Sequence, residues 1–321
     1  MRIVISDDYQ DAARGLDCFA RLADQQVTIY RDTVRDIETL ATRFQDAEAL
    51  VLIRERTAIT SALLDRLPQL KLISQTGRGI AHIDLDACTR HGVAVAASGG
   101  SPYATAELTW GLILAATRHI PYEVARLRAG HWQSTLGTGL HGRTLGIFGY
   151  GNIGRLVASY GRAFGMQVLI WGRQGSLDRA LSDGFATADS QEALFRQSDV
   201  LSLHIKMVPD TRGIVKASDL ALMKPSALLV NTSRAGLIEQ GALEQALRAG
   251  RPGSAAIDVY ESEPVTDHHL LHMDNVVCTP HLGYVEKDSY ELYFSAAFDQ
   301  VLAFASGRPE NILNPEVLGR S

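Results

Sequence analysis

Ionisable side chains of three kinds follow the predicted strands. Each comes a few residues after a short apolar run that predicts a β-strand: the cations Arg54, Arg78 and Arg234, the carboxylates Asp258, Glu261 and Glu263, and the imidazole of His281. Ligands of doubly wound sheets bind outside the carboxyl ends of the strands, so we expect these side chains at one crevice. A guanidinium binds anions, and an imidazole next to a carboxylate transfers protons. The spacing therefore predicts a catalytic site.

A second group of residues has the spacing of a nucleotide-binding turn. Gly149, Gly151 and Gly154 stand in the order GxGxxG, between an apolar run and a helix-like segment that continues from Arg155. These glycines permit a tight turn, close approach of the backbone to a pyrophosphate, and close packing of helix on strand. The helix N-terminus adds N–H donors and the positive end of its dipole. The pattern predicts a dinucleotide site; the alternative is a glycine-rich turn that serves packing only.

The elements that must position these residues alternate between strand and helix. This alternation predicts parallel sheets covered by helices. We expect a small α/β domain in the first hundred residues and a doubly wound sheet of six or seven strands around the glycine turn. Long helices are predicted at about 103–128 and 287–306, and the second should pack back on the first domain. The strand-like runs are 2–5, 27–30, 50–53, 72–74, 93–95, 145–148, 167–171, 200–203, 227–231, 255–258 and 276–279.

The composition is that of an ordinary globular protein. The 321 residues are 46% hydrophobic and carry a net charge of −5, without a basic signal for nucleic acid. No apolar run is long enough for a membrane span, and the N-terminus does not resemble a signal peptide. Cys18, Cys88 and Cys278 stand outside any CxxC pair, which suggests neither a disulfide framework nor a zinc site. We therefore predict a cytoplasmic protein of two domains, without a metal site.

Five motifs in order resemble those of the D-isomer-specific 2-hydroxyacid dehydrogenases. This family includes phosphoglycerate, D-lactate and glyoxylate/hydroxypyruvate dehydrogenases or reductases. The resemblance runs from residue 50 to about residue 284. Any one motif would be weak evidence, whereas five in the family's order are highly specific. The motifs are 76–80 with Ile83 and Asp84, 106–108, the glycine turn, 230–236, and 258–264 with 279–283.

The resemblance implies an α/β fold of two Rossmann-like, doubly wound parallel-sheet domains. An outer, flavodoxin-like domain, residues 1–101 plus 287–321, would bind the substrate. An inner domain, residues 102–286, would bind NAD(P), and hinge closure would bring the substrate to the nicotinamide. The family also implies a homodimer formed mainly through the inner domain, with 103–128 and the loop around Trp132 as contacts.

The resemblance also assigns catalytic roles by position. His281 would be the general acid/base, Glu263 its partner and Arg234 the substrate anchor. Reduction of a 2-oxo acid builds charge on the carbonyl oxygen and needs a proton donor near neutral pH, which imidazole provides. A carboxylate favours the protonated imidazole, and a guanidinium binds the substrate carboxylate through two hydrogen bonds. The alternatives are a packing histidine and a surface ion pair of the arginine. We expect Glu261 to be solvated and His204 to have a structural or peripheral role.

Substrate and cofactor contacts are implied as well. Backbone N–H groups at Arg78 and Gly79 would hold the second carboxylate oxygen of the substrate. Arg54 would either contact the substrate or lie on the cleft rim. Asp258 would meet the carboxamide of the nicotinamide. The expected cofactor contacts are Thr105, Gly149, Gly151, Asn152, Ile153, Gly154, Arg173, Thr232, Asp258 and Gly283.

The end of the strand-like run 167–171 departs from the pattern of NAD-preferring members. A carboxylate usually bonds the ribose hydroxyls there, but this sequence has Gly172 followed by Arg173. Without the carboxylate a 2′-phosphate is not repelled, and the arginine can pair with it. The pattern predicts a preference for NADP over NAD, with Arg173 and Ser176 as phosphate contacts. Lys206 replaces a proline usual in the family and either reaches the adenine or is solvated.

These residues together predict an oxidoreductase that transfers a hydride between NAD(P) and a small D-2-hydroxy acid or 2-oxo acid. Glyoxylate and hydroxypyruvate are the expected types of substrate, and bulky side chains such as Tyr103 and Tyr284 would decide which acid fits. A phosphate-bearing substrate would need the cationic groups at 54–56. The alternatives are a short phosphoglycerate dehydrogenase and a dinucleotide-sensing interaction protein on the same fold. No nucleic-acid or membrane partner is implied.

Overall fold

The computed structural model describes residues 1–319, in which strands and helices alternate. Positions 320 and 321, the last two of the predicted outer domain, lie outside the described residues. The strands are β1 (Arg2–Ile5), β2 (Gln26–Ile29), β3 (Ala49–Ile53), β4 (Leu72–Thr76), β5 (Ala94–Ala97), β6 (Thr144–Phe148), β7 (Gln167–Trp171), β8 (Ala186–Thr187), β9 (Val200–Leu203), β10 (Leu228–Asn231), β11 (Ser254–Ile257) and β12 (Val276–Cys278). The α-helices are α1 (Ile37–Phe44), α2 (Ser61–Leu64), α3 (Leu85–Arg90), α4 (Tyr103–Thr117), α5 (Ile120–Arg128), α6 (Asn152–Ala163), α7 (Gln174–Ser182), α8 (Gln191–Gln197), α9 (Ala217–Ala221), α10 (Ala242–Arg248) and α11 (Lys287–Ala305).

The chain divides into two compact units. Unit 1 contains Met1–Ser101 and the described residues from Glu286 onward, and unit 2 contains Pro102–Val285. Each unit has its own parallel sheet. The roles that the sequence suggests for the two parts, substrate binding and NAD(P) binding, remain predictions.

Unit 1 is built on a five-stranded parallel sheet in the order β2-β1-β3-β4-β5. This is the flavodoxin-like order, as predicted. Strand β3 is apolar and buried along its whole length, as expected for a parallel strand covered on both faces. Helix α11 packs on β4, where the Ser74 hydroxyl donates to the carbonyl of Ala297 at 3.0 Å. The prediction that the last helix packs back on the first domain is therefore confirmed.

Unit 2 is built on a seven-stranded parallel sheet in the order β12-β11-β10-β9-β6-β7-β8. Chain order reverses between β6 and β9, which makes this the switch point of a Rossmann-type sheet. Helices α4 and α6 cover one face, and α8, α9 and α10 cover the other with buried leucines. The carboxyl ends of β6, β10, β11 and β12 therefore carry the residues that the sequence selected for chemistry.

The structure corrects the predicted helix at 103–128. Helix α4 ends at Thr117, and α5 begins at Ile120 after His119 adopts a left-handed backbone with φ 52°. Pro121 follows at the start of α5, where its missing N–H breaks no helical hydrogen bond. The apolar pattern of the sequence does not reveal the break, because residues before and after it are apolar at helical spacing. The two-residue strand β8 was also missed, since it is too short for an alternation pattern.

Two further observations concern possible partners. Within residues 1–319 no helix combines the length and the apolar composition that crossing a bilayer requires. In the same part of the chain no three His, Cys, Asp or Glu side chains converge as a metal site would need. The cysteines are thiols, with Cys18 and Cys88 buried and Cys278 partly buried.

Candidate active site

The glycine turn has the geometry that its sequence predicts. Gly149 has φ +101°, and a β carbon there would lie 2.7 Å from the carbonyl oxygen of His204. A β carbon at Gly154 would overlap the carbonyl oxygen of Gly149, so helix α6 can pack closely only without a side chain. A β carbon at Gly151 would meet nothing within 4 Å, and α6 begins directly after it at Asn152. The turn thus presents open space in front of a helix N-terminus, which fits a dinucleotide pyrophosphate.

The buried side chain of Tyr150 anchors the glycine turn through a hydrogen bond. The Tyr150 hydroxyl donates to the Asp183 carboxylate at 2.8 Å, and Arg155 bonds the same carboxylate at 3.1 Å. Burial, together with the hydrogen bond to Asp183, raises the pKa of Tyr150 to about 12, so the hydroxyl stays a neutral donor. This anchor was missed from the sequence, because a tyrosine between two motif glycines does not reveal which way its ring points.

The end of β7 carries the residues predicted to select between NADP and NAD. Arg173 is exposed and caps helix α7 with an extended backbone, φ −66° and ψ 155°. The Ser176 N–H donates to the carbonyl of Arg173 at 2.8 Å. Arg179 donates to the Ser176 hydroxyl at 3.2 Å and to the carbonyl of Tyr150 at 3.3 Å. The first turn of α7 has no acidic residue, so this helix start is cationic.

Glu263 and His281 form a close pair. His281 Nδ1 lies 2.6 Å from Glu263 Oε2, and the other carboxylate oxygen accepts the backbone N–H of Tyr260 at 2.9 Å. Burial opposes ionisation of Glu263, yet its hydrogen bond with His281 and the charge of that ring outweigh burial and lower the pKa of the carboxyl. Glu263 is therefore ionised at neutral pH and holds the imidazole by Nδ1.

A buried carboxylate fixes the loop that carries His281. Asp258 is fully buried and accepts hydrogen bonds from the Thr279 hydroxyl at 2.6 Å, the Leu282 N–H at 2.7 Å and the Gly283 N–H at 2.9 Å. Burial raises the pKa of the Asp258 carboxyl, and these hydrogen bonds oppose that rise. His281 itself has a left-handed backbone, φ 53°. The loop therefore holds His281 in one orientation; the nicotinamide contact of Asp258 stays a prediction.

Arg234 follows β10 on a hydrogen-bonded turn. The Asn231 side-chain amide donates to the carbonyl of Arg234 at 3.0 Å and accepts the Ser233 N–H at 3.0 Å. One guanidinium nitrogen of Arg234 donates to the carbonyl of Ser233 at 2.8 Å. The positive charge of Arg234 also contributes to the lowered pKa of Glu263. The guanidinium of Arg234 therefore lies close enough to the Glu263–His281 pair to influence the ionisation of Glu263.

Two threonines predicted to contact the cofactor connect α4 to this site. The Thr105 hydroxyl donates to the carbonyl of Gly283 at 2.6 Å, on the His281 loop. The hydroxyls of Thr109 and Thr232 lie 2.7 Å apart, which joins α4 to the turn after β10. These bonds tie together separate strand ends of unit 2.

The predicted substrate contacts belong to unit 1. Arg54 follows β3, and its guanidinium carbon lies 5.5 Å from the centre of the Tyr293 ring. Arg78 and Gly79 follow β4, and Arg78 extends over Gly99, where a β carbon would lie 3.1 Å from its guanidinium. The Glu55 carboxylate lies against Gly79, where a β carbon would be 2.9 Å from Oε1.

Three polar residues near the site, His204, Lys206 and Glu261, were not expected to take part in catalysis. The His204 ring bonds the Ser202 hydroxyl at 2.9 Å, and burial lowers the pKa of His204 to about 4, so the ring is neutral at neutral pH; its structural or peripheral role stays a prediction. Lys206 is exposed. The Glu261 side chain is 54% exposed and lies 3.6 Å from His268.

The contacts of several residues at the site were not predicted from the sequence. Tyr260 donates from its hydroxyl to the carbonyl of Thr279 at 3.0 Å, and its N–H holds Glu263. The Thr279 hydroxyl holds Asp258. Tyr284 was expected to shape the pocket, and its ring lies 5.7 Å from that of His281. The available signal was that Tyr260 and Thr279 lie within the motif segments 258–264 and 279–283.

Comparison with known proteins agrees with these features. The profile of the D-isomer specific 2-hydroxyacid dehydrogenase NAD binding domain matches residues 110–283, more than half of the chain. The chain belongs to the D-isomer specific 2-hydroxyacid dehydrogenase family. It is therefore similar to oxidoreductases that act on CH–OH donors with NAD, and the matched residues lie within unit 2.

Individual members of the family match along most of this chain. Glyoxylate reductase of Aeropyrum pernix is 39% identical over 294 residues, 88% of this chain and 87% of that protein. D-3-phosphoglycerate dehydrogenase of Methanocaldococcus jannaschii is 37% identical over 281 residues, 86% of this chain and 53% of that protein. The chain thus spans about half the length of this phosphoglycerate dehydrogenase. The crystal structure of phosphoglycerate oxidoreductase from Vibrio cholerae superposes with a TM-score of 0.93 at 52% identity, covering 96% of this chain and 99% of that one.

Proposed function

We propose that this D-2-hydroxyacid dehydrogenase reduces a small, unphosphorylated 2-oxo acid such as glyoxylate or hydroxypyruvate with NADPH. The observation that carries the proposal is the 2.6 Å contact between His281 Nδ1 and Glu263 Oε2. It fixes the imidazole by one nitrogen and directs the other nitrogen away from the carboxylate. Such a pair is suited to donate a proton to an oxygen that becomes negatively charged.

Each residue of the site has a distinct task in this reaction. The bound cofactor supplies a hydride for the carbonyl carbon of the 2-oxo acid. Arg234 binds the substrate carboxylate and polarises the neighbouring carbonyl. His281 then donates its Nε2 proton to the carbonyl oxygen, and the ionised Glu263 stabilises the imidazolium before transfer. In the oxidative direction the same imidazole accepts the proton of the 2-hydroxyl group.

The experiment that tests the proposal is a matrix of initial rates. Glyoxylate, hydroxypyruvate, pyruvate and phosphohydroxypyruvate are each assayed with NADPH and with NADH. We expect the highest kcat/KM for glyoxylate or hydroxypyruvate with NADPH. Arg234→Lys should raise the KM of the acid about tenfold or more, because an ammonium cannot form the two parallel hydrogen bonds of a guanidinium. Tight NADPH binding without reduction of any acid would instead support a dinucleotide-sensing protein on this fold.

The preference for NADPH is proposed from the start of α7. Gly172 stands where a carboxylate would repel a 2′-phosphate, and exposed Arg173 caps the helix beside Ser176. The hydrogen bonds of Arg179 orient the Ser176 hydroxyl relative to the glycine turn. The 2′-phosphate would bind Arg173 and Ser176, while the pyrophosphate would bind the N-terminus of α6.

Reversing the charge of Arg173 tests whether the protein prefers NADPH over NADH. Arg173→Asp should lower kcat/KM for NADPH about 10- to 100-fold, through loss of an arginine–phosphate pair and added repulsion, and should raise the relative use of NADH. Arg196→Asp, which changes an exposed arginine on α8 of the same unit, is the matched control and should leave the NADPH/NADH ratio unchanged. An unchanged NADPH Michaelis constant in Arg173→Asp would contradict the assignment.

The charges of unit 1 favour an unphosphorylated acid. Arg56 donates to the backbone carbonyl of Asp7 and stacks on the Tyr9 ring at 4.2 Å, so its guanidinium serves the fold of unit 1. Arg54 and Arg78 then remain at the loops after β3 and β4, with the Glu55 carboxylate close to Gly79. Two guanidinium groups next to one carboxylate suit a substrate with one carboxylate better than a substrate with a carboxylate and a phosphate. We accordingly propose Arg54, Arg78 and Gly79 as contacts of the acid.

A phosphoglycerate dehydrogenase is the second candidate. It is favoured by the 52% identity to the phosphoglycerate oxidoreductase of Vibrio cholerae. If this candidate is right, phosphohydroxypyruvate is reduced at least tenfold more efficiently than hydroxypyruvate, and Arg54→Ala removes that advantage. If the leading proposal is right, the phosphate lowers kcat/KM.

We also propose a cytoplasmic homodimer. Helix α5 has no buried residue in the described chain, and it exposes Ile120 and Leu127, with Trp132 77% exposed in the loop that follows. A second copy would cover this apolar surface. Leu127→Glu should shift the mass in light scattering from dimer to monomer, and Leu181→Glu, at an exposed leucine on α7, should not. The cytoplasmic location is supported by thiol cysteines and is tested by fractionation of cells that contain the full chain.

A further inference from the structure

The backbone of Arg54 is held in an unusual conformation at the end of β3. Its φ is +56°, a left-handed value that is uncommon for a residue with a β carbon. The Arg54 N–H donates to the Thr76 hydroxyl at 3.0 Å, and the Gln75 side-chain amide donates to the Arg54 carbonyl at 2.9 Å. Thr76 and Gln75 are both buried, and they belong to the neighbouring strand β4. Two buried side chains therefore aim Arg54 away from the direction of its strand.

The side chain of Arg54 is held between an aromatic ring and a glycine. Its guanidinium carbon lies 5.5 Å from the centre of the Tyr293 ring, within cation–π range. On another side, a β carbon at Gly77 would lie 2.5 Å from Arg54 Nη1. Only a glycine with φ +91° permits this approach. The guanidinium is thus placed against the first residue of the 77–79 loop.

Tyr293 is itself held in place from two directions. It is 8% exposed on helix α11, and a β carbon at Gly100 would overlap its ring. A β carbon at Gly77 would lie 3.4 Å from the same ring. Glycines after β4 and β5 therefore leave the space in which the ring lies.

We propose that Tyr293 is a positioning residue for substrate binding: its ring holds the Arg54 guanidinium against the 77–79 loop, so that Arg54 is oriented to receive the anionic group of the 2-oxo acid. This inference rests on the proposed function, because it gives Arg54 a substrate to bind. It assigns the orientation of Arg54 to a helix that follows it by more than two hundred residues in sequence. A pre-oriented arginine loses less side-chain entropy when the anion binds, so the benefit should appear in KM and not in kcat.

The test is a double-mutant cycle on the holoenzyme with its best 2-oxo acid. Tyr293→Leu should raise the KM of the acid about 3- to 10-fold, the worth of one cation–π contact, with kcat and the KM of NADPH within about twofold of wild type. Tyr293→Phe keeps the ring and should restore the KM. In an Arg54→Ala background Tyr293→Leu should raise the KM no further. Gly100→Ala, which displaces the ring because its β carbon would overlap it, should repeat the effect of Tyr293→Leu.

Phe294→Leu is the control for lost packing on the same helix. Phe294 is 1% exposed and packs on Tyr290 and Phe298, so this change should lower the Tm without raising the KM of the acid. The inference is overturned if Tyr293→Leu raises KM equally in both Arg54 backgrounds, or if Phe294→Leu raises it as much. It is also overturned if Arg54→Ala leaves the KM unchanged while the wild type reduces the acid, and the dehydrogenase proposal then stands alone. If the wild type reduces no acid and does not bind oxamate, an unreactive 2-oxo acid analogue, both proposals fail.

Discussion

Two histidine–carboxylate pairs in this molecule have nearly the same hydrogen-bond length but very different surroundings. In unit 2, His281 Nδ1 lies 2.6 Å from Glu263, and in unit 1, His91 Nε2 lies 2.8 Å from Asp65. The Asp65 side chain is 66% exposed, whereas that of Glu263 is 33% exposed and also accepts a backbone N–H. Bond length alone therefore does not distinguish the pair proposed for catalysis from one on the surface.

The second ring nitrogen provides the clearer difference. His91 uses its other nitrogen on the carbonyl of Ala87, at 2.8 Å, so both nitrogens are engaged within the end of α3. Within residues 1–319, the His281 ring makes a hydrogen bond to protein through Nδ1 only, and its loop is fixed by Asp258. A proton donor needs one nitrogen directed at its substrate, and a rigid loop that holds it there. The comparison teaches that the engagement of the second nitrogen and the support of the loop identify the site.

The largest effect is expected when the imidazole of His281 is removed, with His91 as the comparison. His281→Gln should lower kcat about 10³-fold, because a general acid contributes about 10²- to 10⁴-fold, while NADPH binding measured by fluorescence titration stays unchanged. His91→Gln is the matched control and should leave kcat within twofold. A loss of less than tenfold in His281→Gln would show that another group donates the proton.

Neutralising the carboxylate of each pair should again affect catalysis at His281 and not at His91. Glu263→Gln keeps an acceptor for the Tyr260 N–H but removes the charge that stabilises the imidazolium. We expect kcat to fall about 10- to 100-fold. Asp65→Asn should leave kcat within about twofold of wild type. A kcat of Glu263→Gln within about twofold of wild type would argue that the carboxylate only packs against the ring.

The support of the His281 loop predicts a moderate effect on stability. Thr279→Val removes the 2.6 Å hydrogen bond to the buried Asp258 carboxylate and should lower the free energy of unfolding by about 1–3 kcal/mol. Thr42→Val, at an exposed threonine that bonds the Glu38 carbonyl on α1, should change it by less than about 0.5 kcal/mol. Urea unfolding measures both. Equal values would mean that the loop around His281 is no better supported than an ordinary surface helix.

The smallest effect concerns the pH dependence of the surface pair. The hydrogen bond to Asp65 raises the pKa of His91, so the folded state binds this proton more tightly than the unfolded state. The stabilisation is complete below the ordinary histidine pKa of about 6.5 and is lost as the pH rises through the raised folded-state value. The Tm of wild type should exceed that of His91→Gln by about 1–2 °C at pH of about 5 and by nothing at pH of about 9. A difference that grows with pH would reverse the assigned direction.

Much of the fold followed from local pattern. The short apolar runs predicted the two parallel sheets, because strands buried on both faces have few polar residues, and β7 and β9 were placed at their observed limits. The continuous helix predicted through His119 was wrong, since periodicity does not register a single left-handed residue. The prediction of a pyrophosphate site at the glycine turn rests on backbone requirements, and these are local as well.

The sequence by itself determined which chemical groups are available and at which strand ends they lie. It placed Arg234, Glu263 and His281 after predicted strands, whose carboxyl ends a doubly wound sheet brings to one edge, and the resemblance to the family motifs selected these three. Only the tertiary structure decided how those groups are oriented. That Glu263 holds His281 by Nδ1, that Asp258 holds the loop, and that Tyr293 lies on Arg54 depend on contacts between residues far apart in the chain. Such contacts follow from the packing of whole elements, and no local pattern of residues records them.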